Sequence, residues 1–281
     1  MQPQDELQSG HLDGHVAIVT GGGRGLGRQI AQTLAAAGAK VAVVARSEDQ
    51  LVETIAPIEH VGGRALAFPL DVADGRAVDQ MVVEVERQLG PVDLLVNNAA
   101  VIPPLGPSWE VNPDEWWRTL EINLRGPFVC AHAVLRRMIG RRRGRIVNIA
   151  SGAGLKPPPF GSAYVTSKAA LIRLSEALAM ETSEYGITIF AINPGWMSTA
   201  MTEYLAHSEA GQQWTPWAPS VFGTDAHVPL ERAAELVLVL ASGQADMLSG
   251  CYVDVYDDIN MLIRRAEEIR RDDLYMMRIR M

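Results

Sequence analysis

Tyr164 and Lys168 stand four residues apart in a stretch with helical composition, so their side chains share one helix face. A nearby ammonium favours phenolate over phenol and draws a tyrosine from its usual pKa of about 10 toward neutrality. Tyr164 is therefore a candidate to hand a proton to a developing alkoxide, or to take one back. Ser151 lies two residues after an apolar run ending at Ile149, and its hydroxyl could hydrogen-bond the same oxygen. A second cluster, Thr20-Gly21-Gly22-Gly23-Arg24-Gly25-Leu26-Gly27, lies between an apolar run and a helical stretch. Glycines there allow a sharp turn and let a pyrophosphate lie against the free N–H groups of a helix start. Arg28-Gln29 follows Gly27 where an ATP-type loop would have Lys and Ser or Thr. There is no Gly-x-Ser-x-Gly elbow, which argues against a serine hydrolase. His60, His132, His207 and His227 show no ligand spacing with one another or with cysteine, so no metal is expected.

Groups so far apart in sequence need a scaffold, and the hydrophobic pattern supplies one. Strands are expected at Val16–Thr20, Val41–Ala45, Ala65–Pro69, Val92–Val96, Arg145–Ile149, Ile187–Ile192 and Cys251–Val255. Between them lie helical stretches at Gly25–Ala37 (stopped by Gly38), Gly75–Gln88, Pro113 to about Ile139 (one helix or two), Ala163–Ser183 and Glu231–Ala241. Another helix follows Ser47, which is read as its cap with Gln50 at the capping-box position. Alternation of this kind builds a doubly wound parallel sheet with helices on both faces. Continuous apolar strands agree, because both faces of such a sheet are covered. Residues 12–255 are read as one domain, residues 1–11 as a flexible extension, and residues 256–281 as a partly helical tail. Met201–Pro229, with Trp214, Trp217 and Phe222, is long enough for a loop to suggest an active-site lid, and the lid is taken to span about residues 197–229.

Bulk properties narrow the function classes. The 281 residues are 48% hydrophobic with net charge −8, which argues against a nucleic-acid or anionic-membrane surface. Arg136-Arg137 and Arg141-Arg142-Arg143 close a helix and read as a solvated face. Two distant cysteines, Cys130 and Cys251, suggest a reducing compartment. The polar N-terminus is neither a signal nor a transit peptide, and no run of 18 apolar residues occurs, so a cytoplasmic location is expected.

With these motifs in this order, the chain resembles the short-chain dehydrogenase/reductase family over roughly Leu12–Val255. Thr20, Gly21, Gly25 and Gly27 match its Thr-Gly-x-x-x-Gly-x-Gly, Asp71-Val72 its adenine-contacting acid, and Asn97-Asn98-Ala99 most of its Asn-Asn-Ala-Gly. Asn123, Ser151, Tyr164 and Lys168 match its catalytic tetrad, and Pro194-Gly195 followed by Thr199 its nicotinamide-holding segment. The resemblance implies a Rossmann-type fold of about seven strands and an oxidoreductase using NAD(P). From the motif positions, and from the positive charge of Arg24 and Arg46, cofactor contacts are expected from Thr20, Gly21, Gly23, Arg24, Gly25, Leu26, Gly27, Arg46, Asp71, Val72, Asn98, Ala99, Tyr164, Lys168, Pro194, Gly195, Met197 and Thr199. The resemblance further implies that Lys168 binds the nicotinamide ribose, that Asn123 holds a water linking Lys168 to solvent, and that the protein is a homo-oligomer, dimer or tetramer. Two departures stand out. Ala100 replaces a glycine, and Asp254-Val255-Tyr256-Asp257-Asp258 replaces the usual Asp-Gly-Gly, putting the family's tetramer contacts there in doubt.

Where an NAD-specific chain carries an acid at the end of the second strand, this one has Ala45, followed by Arg46. Arginine pairs bidentately with a 2′-phosphate, so NADP(H) is preferred over NAD(H). The expected reaction interconverts a ketone and a secondary alcohol. Trp109, Trp116, Trp117, Trp214 and Trp217 suggest a bulky, apolar, cyclic or aromatic substrate. The alternatives are an NAD(H)-dependent alcohol dehydrogenase, a non-catalytic nicotinamide-sensing regulator, and an epimerase or dehydratase. An intact tetrad counts against the second, and the lack of a larger C-terminal substrate domain against the third.

Overall fold

The computed structural model describes residues 12–222, 224 and 226–278; the extension assigned to residues 1–11 lies outside them. Seven strands form one parallel sheet: β1 (Val16–Thr20), β2 (Lys40–Ala45), β3 (Ala65–Pro69), β4 (Leu94–Asn97), β5 (Gly144–Ile149), β6 (Ile187–Asn193) and β7 (Tyr252–Asp254). Their spatial order is β3-β2-β1-β4-β5-β6-β7. Chain order reverses between β1 and β4, which pair Ala17 with Leu94 and Val19 with Val96. The crevice at the carboxyl ends of the strands flanking such a reversal is where doubly wound sheets bind ligands.

Two apolar layers cover the sheet. Ile30 and Leu34 of α1 (Gly25–Ala36), Leu51 of α2 (Glu48–His60) and Val237 of α9 (Leu230–Ser242) pack on one face. Val78 and Val82 of α3 (Gly75–Gln88), Val134 and Met138 of α5 (Gly126–Arg141) and Leu178 of α6 (Ser162–Thr182) pack on the other. The β1 and β2 side chains alternate between the two clusters, which is why both strands read as unbroken apolar runs.

Several expectations need correction. Ser47 makes no side-chain cap to α2; the side-chain caps in this half of the chain come from Asp74, which accepts from Arg76 and Ala77, and Asn112, which accepts from Asp114 and Glu115. The span from Pro113 is α4 (Pro113–Leu120), a π-turn (Glu121–Arg125) and α5. The expected lid loop contains α7 (Ala200–His207), α8 (Glu209–Trp214) and a 3-10 turn (Ala218–Val221). The helix-end arginines are a solvated face only in part: Arg136, Arg142 and Arg143 are exposed, but several of the run are tied to neighbouring groups. Arg137 and Arg141 both pair with Glu86, Arg141 also donates to Val92 O, and Arg143 pairs with Asp93, tying α5 to α3 and to the base of β4.

The tail forms two short helices, α10 (Ile259–Arg264) and α11 (Ala266–Arg271), which bury Leu262, Ala266 and Ile269 in the first apolar layer. It then returns along β7, where Tyr252 N–H donates to Tyr275 O at 2.8 Å on the outer edge of the sheet. Arg278 pairs with the buried carboxylate of Glu176 on α6 at 2.8 Å, opposite Arg173 at 2.5 Å.

Candidate active site

A cavity of 780 Å³ opens along the carboxyl ends of the strands. At one end β1 runs into the glycine turn, which the protein braces with hydrogen bonds. Asn98 Nδ2 donates to Thr20 O (3.0 Å) and Gly21 O (3.2 Å), while the Thr20 hydroxyl accepts from Asn98 N–H and Ala99 N–H. Arg28 donates to Gly23 O, and the Thr54 hydroxyl donates to Gly22 O. Gly27 is packed so tightly that a Cβ there would sit 2.2 Å from Gly21 O. Gly25 has φ +53, in the left-handed region that favours glycine.

Helix α1 starts without a side-chain cap and with Arg24 at its N-cap, and its first residues line the cavity. Uncapped N–H groups at a twelve-residue helix facing a cavity form an anion seat, and the cavity is large enough for a dinucleotide. The residues present therefore fit NAD(P). Gly21, Gly23, Arg24, Gly25, Leu26, Gly27, Arg46, Asp71, Val72, Asn98 and Ala99 line this part of the cavity. Thr20 does not; it is buried and works through the backbone of Asn98 and Ala99.

The end of the cavity beside Arg46, where an adenosine would lie, holds a group that the sequence did not disclose. Arg118 of α4 pairs with Asp71, whose other oxygen accepts from Ala73 N–H at 2.9 Å. Burial would raise the Asp71 carboxyl, but the Ala73 N–H together with the charges of Arg118 and Arg46 holds it below its ordinary value. Asp71 is thus a neutralised neighbour of Arg46 rather than a free acid. Ser47, released from capping, lines the cavity beside Arg46. Nothing in a single sequence marks a side-chain pair 47 residues apart, so Arg118 could not have been found there.

At the other end Ser151, Tyr164 and Lys168 converge on the cavity wall. Lys168 is 3% exposed, and its Nζ donates to Ile149 O at 2.7 Å and lies 5.6 Å from the centre of the Tyr164 ring. Burial pulls the Lys168 ammonium down to about 7. Burial also pushes the Tyr164 phenol above its ordinary value, against an opposing hydrogen bond from Ser151. The expected lowering of Tyr164 by Lys168 is therefore not found: desolvation dominates both groups.

Asn123 lies in the π-turn, where an extra residue per turn re-aims a side chain. It is fully buried and does not line the cavity. Its Oδ1 accepts from Val101 N–H (2.8 Å), and its Nδ2 donates to Val101 O (2.8 Å) and to Ser167 Oγ (3.1 Å). With the amide engaged on both sides, a water beside Asn123 would have to use its backbone carbonyl.

Pro194, Gly195, Met197 and Thr199 line the cavity between the two ends. Thr199 also forms a reciprocal capping box with Thr202 that starts α7, and its methyl group approaches Gly25. Of the tryptophans singled out for the substrate, only Trp217 lines the cavity. Trp109 is 82% exposed, Trp117 is exposed, Trp116 donates to Ser162 Oγ, and Trp214 stacks on Phe160. Trp196, next to Pro194-Gly195, was missed. It lines the cavity, packs 5.4 Å from Trp217 and 6.0 Å from Phe222, and bridges to His227. Tyr256 was missed too; it lines the cavity and donates to Ala226 O. The departure from the family motif in which Tyr256 lies was the available signal. Among the described residues no three His, Cys, Asp or Glu side chains converge as a metal site, no helix is long and apolar enough to cross a membrane, and both cysteines are buried and free.

The profile of the short chain dehydrogenase family matches residues 15–210. A short chain dehydrogenase of Pseudocercospora fijiensis is 33% identical over 98% of this chain and 92% of its own. Among solved structures, an NAD+-bound xylitol dehydrogenase superposes with TM-score 0.78 at 29% identity, covering 86% of this chain and 98% of its own. A gluconate 5-dehydrogenase from Burkholderia cenocepacia, in complex with NADP and tartrate, does so with TM-score 0.78 at 30% identity, covering 89% and 96%. Seven parallel strands in this order, a glycine turn at the β1/β4 reversal, and similarity along nearly the whole chain place the protein in the short-chain dehydrogenase/reductase family of NAD(P)-dependent oxidoreductases.

Proposed function

We propose that the protein is an NADP(H)-dependent oxidoreductase that interconverts a bulky ketone and its secondary alcohol. The observation that carries this reading is one cavity with an uncapped helix start at one end and Ser151, Tyr164 and Lys168 at the other. The bound nicotinamide supplies or accepts the hydride.

The chain's own groups handle the oxygen and the proton. Ser151 Oγ donates a hydrogen bond to the substrate oxygen, and Tyr164 Oη donates its proton to the developing alkoxide. A phenol held protonated by burial is suited to the reductive direction. Lys168, fixed on Ile149 O beneath the tyrosine ring, offsets the charge left on the phenolate and would hold the cofactor's ribose. Asn123 fixes the Val101 backbone of the cavity wall and, through its own carbonyl, holds the water that returns a proton toward Lys168.

The choice of NADP(H) rests on the adenosine end. Arg46 and the free Ser47 hydroxyl flank the place where a 2′-phosphate would lie, and Asp71 is neutralised by Arg118. The solved neighbours carry NAD+ in one case and NADP in the other, so they do not make this choice. The lid is the stretch from Met197 through α7 and α8 to Pro229, closing over the reactive end with Trp196 and Trp217. A cytoplasmic homo-oligomer acting on a small molecule completes the reading.

Tyr164→Phe tests it. The variant loses about 10²–10⁴-fold in ketone reduction, because the proton donor is gone, while NADPH titration by nicotinamide fluorescence stays unchanged. Near-normal turnover in the variant would overturn the mechanism.

A further inference from the structure

We propose that the substrate carries a carboxylate, or a comparable anionic group, and that Lys156 receives it. This rests on the reading of the cavity as the site of ketone reduction.

The cavity is cationic inside an acidic protein. The net charge is −8, yet the charged residues described in its lining are Arg24, Arg46, Lys156 and Lys168 against a single acid, Asp71. Four of these five have work elsewhere. Arg24 and Arg46 lie at the glycine turn and the end of β2, beside the seat for the dinucleotide phosphates. Asp71 is paired with Arg118, and Lys168 is held on Ile149 O. Lys156 remains. It makes no salt bridge among the described residues, and no acid lines the reactive end beside it.

Its place in the chain puts it next to the chemistry. Lys156 lies between Ser151 and Tyr164 on the connection from β5 to α6. That connection is braced along its length. Lys156 N–H donates to Gly152 O at 3.0 Å, and three prolines, Pro157-Pro158-Pro159, fix the backbone that follows. Phe160 then stacks on Trp214 of the lid at 4.7 Å and accepts from Gly106 N–H at 2.8 Å. The surrounding walls are apolar: Ile102, Leu105, Met201, Leu205, Trp196 and Trp217. A ligand that fills such a pocket and meets one exposed ammonium at its edge, unpaired among the described residues, is an apolar body with one negative end. Lys156 is exposed, but the apolar walls beside it exclude water from one side of the contact, so a bound carboxylate is attracted more strongly than in open water.

The experiment compares 4-oxocyclohexanecarboxylate with its methyl ester as substrates of the wild-type protein, Lys156→Met and Lys156→Arg, with NADPH present. Lys156 is exposed and tethered only through its backbone, so neither substitution threatens the fold. In the wild type kcat/KM favours the acid. In Lys156→Met the acid's KM rises about tenfold with kcat little changed, as expected for the loss of one charge-assisted contact, and the ester is unaffected. Lys156→Arg restores most of the preference, and added salt erodes it in the wild type but not in the methionine variant.

Equal wild-type kcat/KM for acid and ester, or an equal loss on both in Lys156→Met, would overturn the proposal while leaving ketone reduction standing. Binding of cyclohexanecarboxylate to the NADPH-loaded protein, followed by isothermal titration calorimetry, separates the two readings. Lys156-dependent binding without turnover of either ketone would sustain the anionic subsite and reject the reaction. Binding indifferent to Lys156 would reject the subsite.

Discussion

Lys168 is a cation that the fold buries at a cost, and the cost can be measured. Desolvation takes its pKa from 10.5 to about 7, which at about 1.4 kcal/mol per pH unit makes the charged form about 5 kcal/mol less favourable in the folded protein. Lys168→Met removes that charge and keeps most of the side-chain volume. It also removes the hydrogen bond to Ile149 O, and a buried carbonyl left unpaired costs about 1–3 kcal/mol. The net gain is about 2 kcal/mol at pH 7, or a rise in Tm of about 4–8 °C for a chain of this size.

The pH dependence carries a definite sign. The unfolded lysine binds its proton up to about 10.5 and the folded one only up to about 7, so between these values the unfolded state holds more protons. Stability of the wild type therefore rises with pH across that window, and the full penalty is present below it. The gap between variant and wild type should close by about 2 kcal/mol from pH 7 to pH 9. Thermal melts of both proteins at the two pH values, in parallel with an assay, provide the test. A stabilised variant that has lost about 10²-fold or more in turnover is the expected pair of results. A variant that melts no higher than the wild type, with the same pH slope, would refute the assignment of Lys168 as a destabilising functional charge.

Arg46→Ala should weaken NADPH binding about tenfold or more and leave NADH nearly unchanged, because a charge-assisted phosphate contact is lost from one cofactor only; equal losses in fluorescence titrations would reject the phosphate role. Gly27→Ala places a Cβ 2.2 Å from Gly21 O and 2.5 Å from Asn98 Nδ2, so the glycine turn must shift, and both cofactors should bind at least about tenfold more weakly. Arg278→Ala leaves the buried Glu176 with Arg173 alone and should cost about 1–2 kcal/mol, read as a lower urea midpoint, with NADPH affinity intact.

Legibility from the sequence followed the range of the interactions involved. β1, β3 and the helix α3 stand where apolar runs and periodicity put them, because burial on both faces writes itself locally into the chain. The residues named for the site gather around one cavity, apart from Thr20 and Asn123, which act from behind its wall. What stayed hidden depends on tertiary contact. Asp71–Arg118 joins two elements whose approach only the fold decides. Trp196 and Trp217 meet because the stretch holding α7 and α8 folds back on the segment after β6, whereas the other tryptophans with the same composition signal point elsewhere. α7 and α8 are too short to show a clear period, so their span reads as loop. Ser47 has the residue type and spacing of a cap, and its hydroxyl makes no such bond.

The contact between Tyr252 and Tyr275 also bears on how the protein is made. An uncovered edge strand presents a row of N–H and C=O groups to any extended chain nearby. Here the strand that completes the sheet precedes the segment that shields it by about 20 residues, so the edge of β7 stays open until the tail has folded back onto it. Until then β7 is open to wrong pairing with another extended chain. Resistance to aggregation during folding should therefore depend on residues far from any chemistry.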